Sequence, residues 1–122
     1  QLYLVKRFIE NKYNSKVIEC KTIRDKDKLA LSSRNFLLNK IELNKARKIA
    51  KNIFLLKKKL KNIKNTKKFL MIKKNELSKI FDINIEYLEL RSITDLRKTN
   101  RIKNSRIFIA YYINKVRLID NF

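Results

Sequence analysis

Neither glycine nor proline occurs anywhere in the sequence. Average usage would place roughly 8 glycines and 6 prolines in a chain of this length. Tight hairpins often need a residue with positive φ, a region that a Cβ makes costly for every residue except glycine. Such turns must here be made by residues that carry a side chain, and Asn is the least strained substitute. The pair Asn114-Lys115, set between two apolar runs, is where this demand is expected to fall.

The residues that fill the gap are chiefly Lys, Asn and Ile, whose codons are built almost wholly of A and T, which points to genome composition as the source of the bias. Lys and Arg total 32 against 11 Asp and Glu, a formal net charge of +21 that at face value suggests a polyanionic partner. Arg, whose planar fork is the better reader of phosphate, supplies only 9 of these cations. A compositional origin of the charge is therefore favoured, and a basic nucleic-acid-binding module is kept as the alternative function. In that alternative Tyr111 and Tyr112 would stack on bases; otherwise they pack in or beside the core. At 122 residues and 44% hydrophobic content, the chain has the length and the apolar material of one domain. It has no His, which excludes His-based triads and His metal sites, and no metal ligands are assigned. Cys20 is the single cysteine, so an intramolecular disulfide and a CxxC pair are both excluded. Its place two residues after Ile18 in an alternating run suggests a small buried hydrophobe. No apolar run approaches the ~18 residues of a membrane-spanning helix, and no signal-peptide pattern opens the chain, so a cytoplasmic location without membrane association is expected. The first residue is Gln rather than Met, which suggests a fragment.

Apolar residues at helical spacing predict a helix over 1–14 (Leu2, Val5, Phe8, Ile9, Tyr13), and the β-branched run Lys16 to Ile23 predicts a strand. Arg24 to Asn35 has no sustained period and reads as a loop. Asn39 followed by Glu42 is a capping-box signature. It opens a helix whose face Leu43, Ala46, Ile49, Ala50, Ile53 and Leu60 runs to about residue 61. Leu70, Leu77, Ile80 and Phe81 mark a further helix within 66–82. Ile85 to Leu90, Arg106 to Ile113 and Val116 to Ile119 read as strands, the last two joined as a hairpin. A lone helix and strand of α/β type cannot make a parallel sheet, because each strand needs neighbours. The fold expected is therefore α+β: residues 1–23 as the tail of a larger α/β domain, and residues from about 36 onward as a small unit of helices and a short antiparallel sheet.

The loop holds the chemistry. In Leu29-Ala30-Leu31-Ser32-Ser33-Arg34-Asn35, two adjacent hydroxyls precede an Arg, a set that suits an anion: hydroxyls and backbone N–H groups approach closely and Arg supplies a bidentate fork. The other reading is that Ser-Ser-Arg caps the segment before Phe36-Leu37-Leu38. With Arg24-Asp25-Lys26-Asp27 before it, this block resembles the nucleotide-binding signature of the pantoate–β-alanine ligase (pantothenate synthetase) family. Val116-Arg117-Leu118-Ile119-Asp120-Asn121 is similar to the family's "RLIDN" ending, and Gln1-Leu2-Tyr3-Leu4-Val5-Lys6-Arg7 to its "QL-x-L-I-R" helix.

The resemblance implies that residues 1–35 are the end of a Rossmann-like α/β nucleotide-binding domain carrying the phosphate loop and residues 36–122 a small C-terminal α+β lid domain. The whole would be an ATP-dependent ligase that condenses pantoate with β-alanine through a pantoyl-adenylate, releasing AMP and pyrophosphate. It implies ATP contacts at Ile23, Leu31, Ser32, Ser33 and Arg34, with Arg34 stabilising the transition state, and a pantoate contact at Gln1. Mg²⁺ would accompany the ATP, and the enzyme would be a homodimer joined through its N-terminal domain. That domain also carries the family's His motif, so residues 1–122 alone are expected to be inactive. Two departures stand out: Lys28 and Asn114 occupy positions where the family has Gly.

Overall fold

The computed structural model describes residues 2–122; Gln1, the expected pantoate contact, lies outside the described residues. The longest helix, α2 (Lys40–Leu60), starts at the capping box that the sequence predicts. The Asn39 side chain accepts from Glu42 N–H at 2.9 Å, and Glu42 Oε2 accepts from Asn39 N–H at 2.8 Å. Before it lie α1 (Leu2–Lys12) and a 3₁₀ turn, Ser33–Leu37; after it come α3 (Thr66–Phe81) and the strands β1 (Asn84–Ser92), β2 (Ser105–Ile113) and β3 (Val116–Asn121). The strands form one antiparallel sheet in the order β1-β2-β3, with Leu88 opposite Ile109 and Ala110 opposite Ile119. β2 is the central strand, and its consecutive residues Ile109, Ala110 and Tyr111 are all buried, so both of its faces are covered there, as its nearly continuous apolar sequence suggests.

Helices α2 and α3 and the sheet enclose the core, where Ile49, Ile53 and Leu60 of α2 meet Ile107, Ile109 and Ile113 of β2, all essentially without exposure. Each such side chain contributes about 1.5–3 kcal/mol by leaving water. That is enough to carry α2 through its like-charged pairs Arg47/Lys51 and Lys57/Lys61, which cost about 0.2–0.5 kcal/mol each. Leu56 joins the buried face beside the expected residues, whereas Ile80 of α3 is exposed. Among the described residues no helix is long and apolar enough to cross a membrane.

Among the described residues, five that carry a Cβ take positive φ: Lys28, Asp82, Leu96, Asn104 and Asn114. Asn114 makes the β2–β3 turn, as expected, and its side-chain amide donates to Glu42 of the capping box, fastening the hairpin to the start of α2. Asp82 is the left-handed cap that ends α3, a position for which glycine is the usual choice.

The segment from Lys16 to Ile23 departs from expectation. It forms no strand: its end takes part only in a Leu31 N–H to Ile23 O bond of 3.0 Å, next to an isolated bridge between Arg24 and Ala30. Ile18 is 81% exposed, and Cys20 is exposed rather than buried. The physical cause is that β-branched residues favour a strand only where a neighbouring strand pairs with it, and none among the described residues does. α1 likewise has no buried residue and leaves Leu4, Val5 and Phe8 open to solvent.

Candidate functional site

The loop between Ile23 and Leu38 is built on a narrow turn. Asp25 N–H donates to Leu29 O at 2.9 Å and Lys28 N–H donates to Asp25 O at 3.0 Å, while Lys28 sits at φ 73°. This is the hydrogen-bond pattern of a three-residue hairpin loop that ends on a left-handed residue, the position at which glycine is favoured. Lys28 therefore occupies a true left-handed site and bears its steric cost. Its ammonium lies 5.4 Å from the centre of the Phe54 ring of α2.

Asp25 organises the turn from inside. Its Oδ1 accepts from the N–H groups of Asp27 (2.9 Å) and Leu29 (3.1 Å), and its Oδ2 accepts from Arg47 Nε of α2 at 2.8 Å. Burial pushes the carboxyl pKa up, but the Arg47 bond and the two backbone donors more than offset it, leaving Asp25 below its usual range. Leu29 and Leu38 are buried and pin the middle and the far end of the loop to the core.

Arg24 ties the loop to the far end of the chain. Its Nη1 donates to Asp120 Oδ2 at 2.7 Å and to Lys28 O at 2.8 Å; its Nη2 donates to Asp120 Oδ1 at 2.8 Å and to Asn121 O at 2.7 Å. The guanidinium stacks on the Phe122 ring at 4.4 Å, and the Arg24 and Asp120 side chains retain only 20% and 10% of their exposure. Lys57 of α2 is held below its usual pKa by burial first and then by the like charges of Arg106 and Arg24.

The residues expected to meet ATP follow directly. Ile23 and Leu31 are joined through the backbone, and Ser32, Ser33 and Arg34 continue from Leu31 on an exposed surface. Ser32 caps the 3₁₀ turn by accepting from Arg34 N–H at 3.3 Å, so the capping reading of Ser-Ser-Arg is realised. Capping uses only the hydroxyl oxygen, and the Ser32 O–H can still donate to an anion. Arg34 Nη1 donates to Arg117 O of β3 at 3.2 Å, a second tie between loop and sheet, and Asn35 Nδ2 holds Ala30 O at 3.0 Å. Three consecutive exposed residues thus carry two hydroxyls and a guanidinium, groups chemically fit for phosphate oxygens. Tyr111, in contrast, is 3% exposed, and burial raises its pKa; it packs in the core, and Tyr112 is half-buried.

Sequence reasoning assigned no role to Arg24 or Asp120, which lie 96 positions apart. No periodicity connects them. The available signal was that each stands in one of the two blocks singled out around the loop and the chain end.

A family model described as pantoate-beta-alanine ligase matches residues 1–122. The chain is 35% identical over 128 aligned positions to a pantothenate synthetase of Clostridium acetobutylicum, and 39% identical over 128 to one of Clostridium botulinum; each alignment covers 100% of this chain and 44% of the relative. A pantothenate synthetase of Flavobacterium psychrophilum is 34% identical over 127 positions, covering 99% of this chain and 44% of the relative. The fold matches a crystal structure of pantothenate synthetase from Thermus thermophilus with a TM-score of 0.85 at 24% identity, over 99% of this chain and 45% of that one. The chain therefore spans less than half the length of the relatives it matches.

Proposed function

The chain belongs to the pantoate–β-alanine ligase family, and from that premise we propose that it is the C-terminal part of an enzyme that condenses pantoate with β-alanine at the expense of ATP. The observation that carries the reading is the exposed Ser32-Ser33-Arg34 surface, which follows a turn fastened to α2 through Arg47 and to β3 through Arg24.

In this reading Ser32, Ser33 and Arg34 hold the ATP phosphates, with Ile23 and Leu31 at the nucleotide and Gln1 at pantoate. A pantoate carboxylate oxygen bonds to the α-phosphorus while the bond from that phosphorus to the bridging oxygen breaks, so pyrophosphate leaves and pantoyl-adenylate forms. The β-alanine amine then attacks the acyl carbon, AMP departs with the electron pair of the broken C–O bond, and the amine loses a proton. Negative charge grows on the phosphoryl oxygens and the leaving pyrophosphate in the first step, where hydroxyl and guanidinium donors are most effective. Mg²⁺ would be held largely by the phosphate oxygens, supplying charge neutralisation there.

Residues 1–35 would close a Rossmann-like domain whose remaining part covers the apolar residues now open on α1 and on 16–23, such as Phe8, Ile18 and Ile23. The same part would carry the homodimer contact, in a cytoplasmic protein. The test is product formation. The full-length protein given pantoate, β-alanine and ATP should form pantothenate, AMP and pyrophosphate in equal amounts, and residues 1–122 alone should form none. Ligation by the isolated chain, or none by the full-length protein, would overturn the reading.

A further inference from the structure

Arg24 is too fully engaged to meet a substrate, yet it is the main bond between the proposed phosphate loop and the sheet. Its two terminal nitrogens make four hydrogen bonds of 2.7–2.8 Å, to Asp120, Asn121 O and Lys28 O, and Phe122 covers its face. Lys28 adopts its strained left-handed conformation at the turn, and its carbonyl accepts from Arg24 Nη1. Three attachments then converge on one short loop: Arg24 on Asp120 of β3, Arg34 on Arg117 O of β3, and Asp25 on Arg47 of α2. Arg106 Nη1 adds a bond of 3.1 Å to the Asn121 side chain, holding the end of β3 that receives Arg24.

Resting on the phosphate-loop reading above, we infer that Arg24 and Asp120 are a positioning pair that locks Ser32-Ser33-Arg34 to β3 in the orientation needed for attack at the α-phosphorus. A misplacement of about 1 Å can cost about 100-fold in rate, so loosening the pair acts on the step in which the loop faces the leaving pyrophosphate. It leaves the second step alone, because pyrophosphate has by then departed and only AMP is displaced.

The experiment separates the two half-reactions in the full-length protein. Pantoate-dependent exchange of labelled pyrophosphate into ATP reports the first; conversion of supplied pantoyl-adenylate and β-alanine to pantothenate reports the second. Asp120→Asn keeps the shape and removes the charge, and Arg24→Lys keeps a cation and removes the fork. Each is expected to lower exchange by about 10- to 100-fold while the second half-reaction stays within about twofold of wild type. Unchanged exchange in both variants, or a parallel fall of both half-reactions of the kind misfolding or a purely structural role gives, would overturn the inference. Arg34→Ala is the companion measurement. If it lowers exchange while Asp120→Asn does not, the positioning role alone fails; if it too leaves exchange unchanged, the phosphate-loop reading fails with it.

Discussion

Replacing Lys28 by Gly and, separately, by Ala isolates what a glycine-free chain incurs at a left-handed turn. Both variants delete the same side chain, including its contact over Phe54, so that loss cancels between them. What remains is the Cβ. In the left-handed region it costs about 1–2 kcal/mol, while Gly gives up about 0.5–1 kcal/mol of extra unfolded-chain entropy. The difference leaves Gly more stable than Ala at position 28 by about 1 kcal/mol. Lys48, exposed within α2, is the internal reference: in a helix interior the order reverses and Ala exceeds Gly by about 0.8–1.0 kcal/mol. Urea unfolding of residues 1–122 followed by far-UV circular dichroism, at unchanged slope, measures both pairs. Ala equal to or better than Gly at position 28 would refute the left-handed assignment at φ 73° and the strain reasoning built on it.

Two further outcomes concern stability. Asn39→Ala removes the acceptor for Glu42 N–H and should cost about 1 kcal/mol, read as a fall in melting temperature of roughly 3–6 °C for a chain of this size. Asp25 has its pKa lowered in the folded state, burial notwithstanding, by Arg47 and the N–H groups of Leu29 and Asp27. Its stabilising contribution is therefore fully present above the unfolded value of about 3.9 and is lost as pH falls through the lower folded value. Denaturant midpoints measured from pH 5 downward should fall more steeply in wild type than in Asp25→Asn, and parallel curves would contradict that role.

What the sequence discloses about this fold is what local physics controls. The Asn39–Glu42 box, the face Ala46, Ile49, Ala50 and Ile53, and the Asn114 turn are all decided within a few residues, and each stands where its pattern puts it. Lys28 was legible differently, as a departure from a family's Gly, and its φ of 73° supplies the cause. The strand expected at Lys16 to Ile23 and the buried Cys20 fail together, because a strand is a relation between segments and no partner segment is present among the described residues. Ile80 fails because helical spacing does not reveal how wide a face the sheet covers. Of the candidate site, the adjacent donors Ser32, Ser33 and Arg34 were readable as chemistry. The Arg24–Asp120 pair was not, since its geometry depends on how β3 returns past the loop.

In the proposed function the Ser32-Ser33-Arg34 surface acts on the phosphates of ATP, with Arg34 as its one cationic donor. The direct measurement is kcat/KM for pantothenate formation by the full-length protein and its Arg34→Ala variant, with matched melting curves. A fall of about 10²–10³, the size of one lost transition-state donor, is expected. Kinetics indistinguishable from wild type would contradict it.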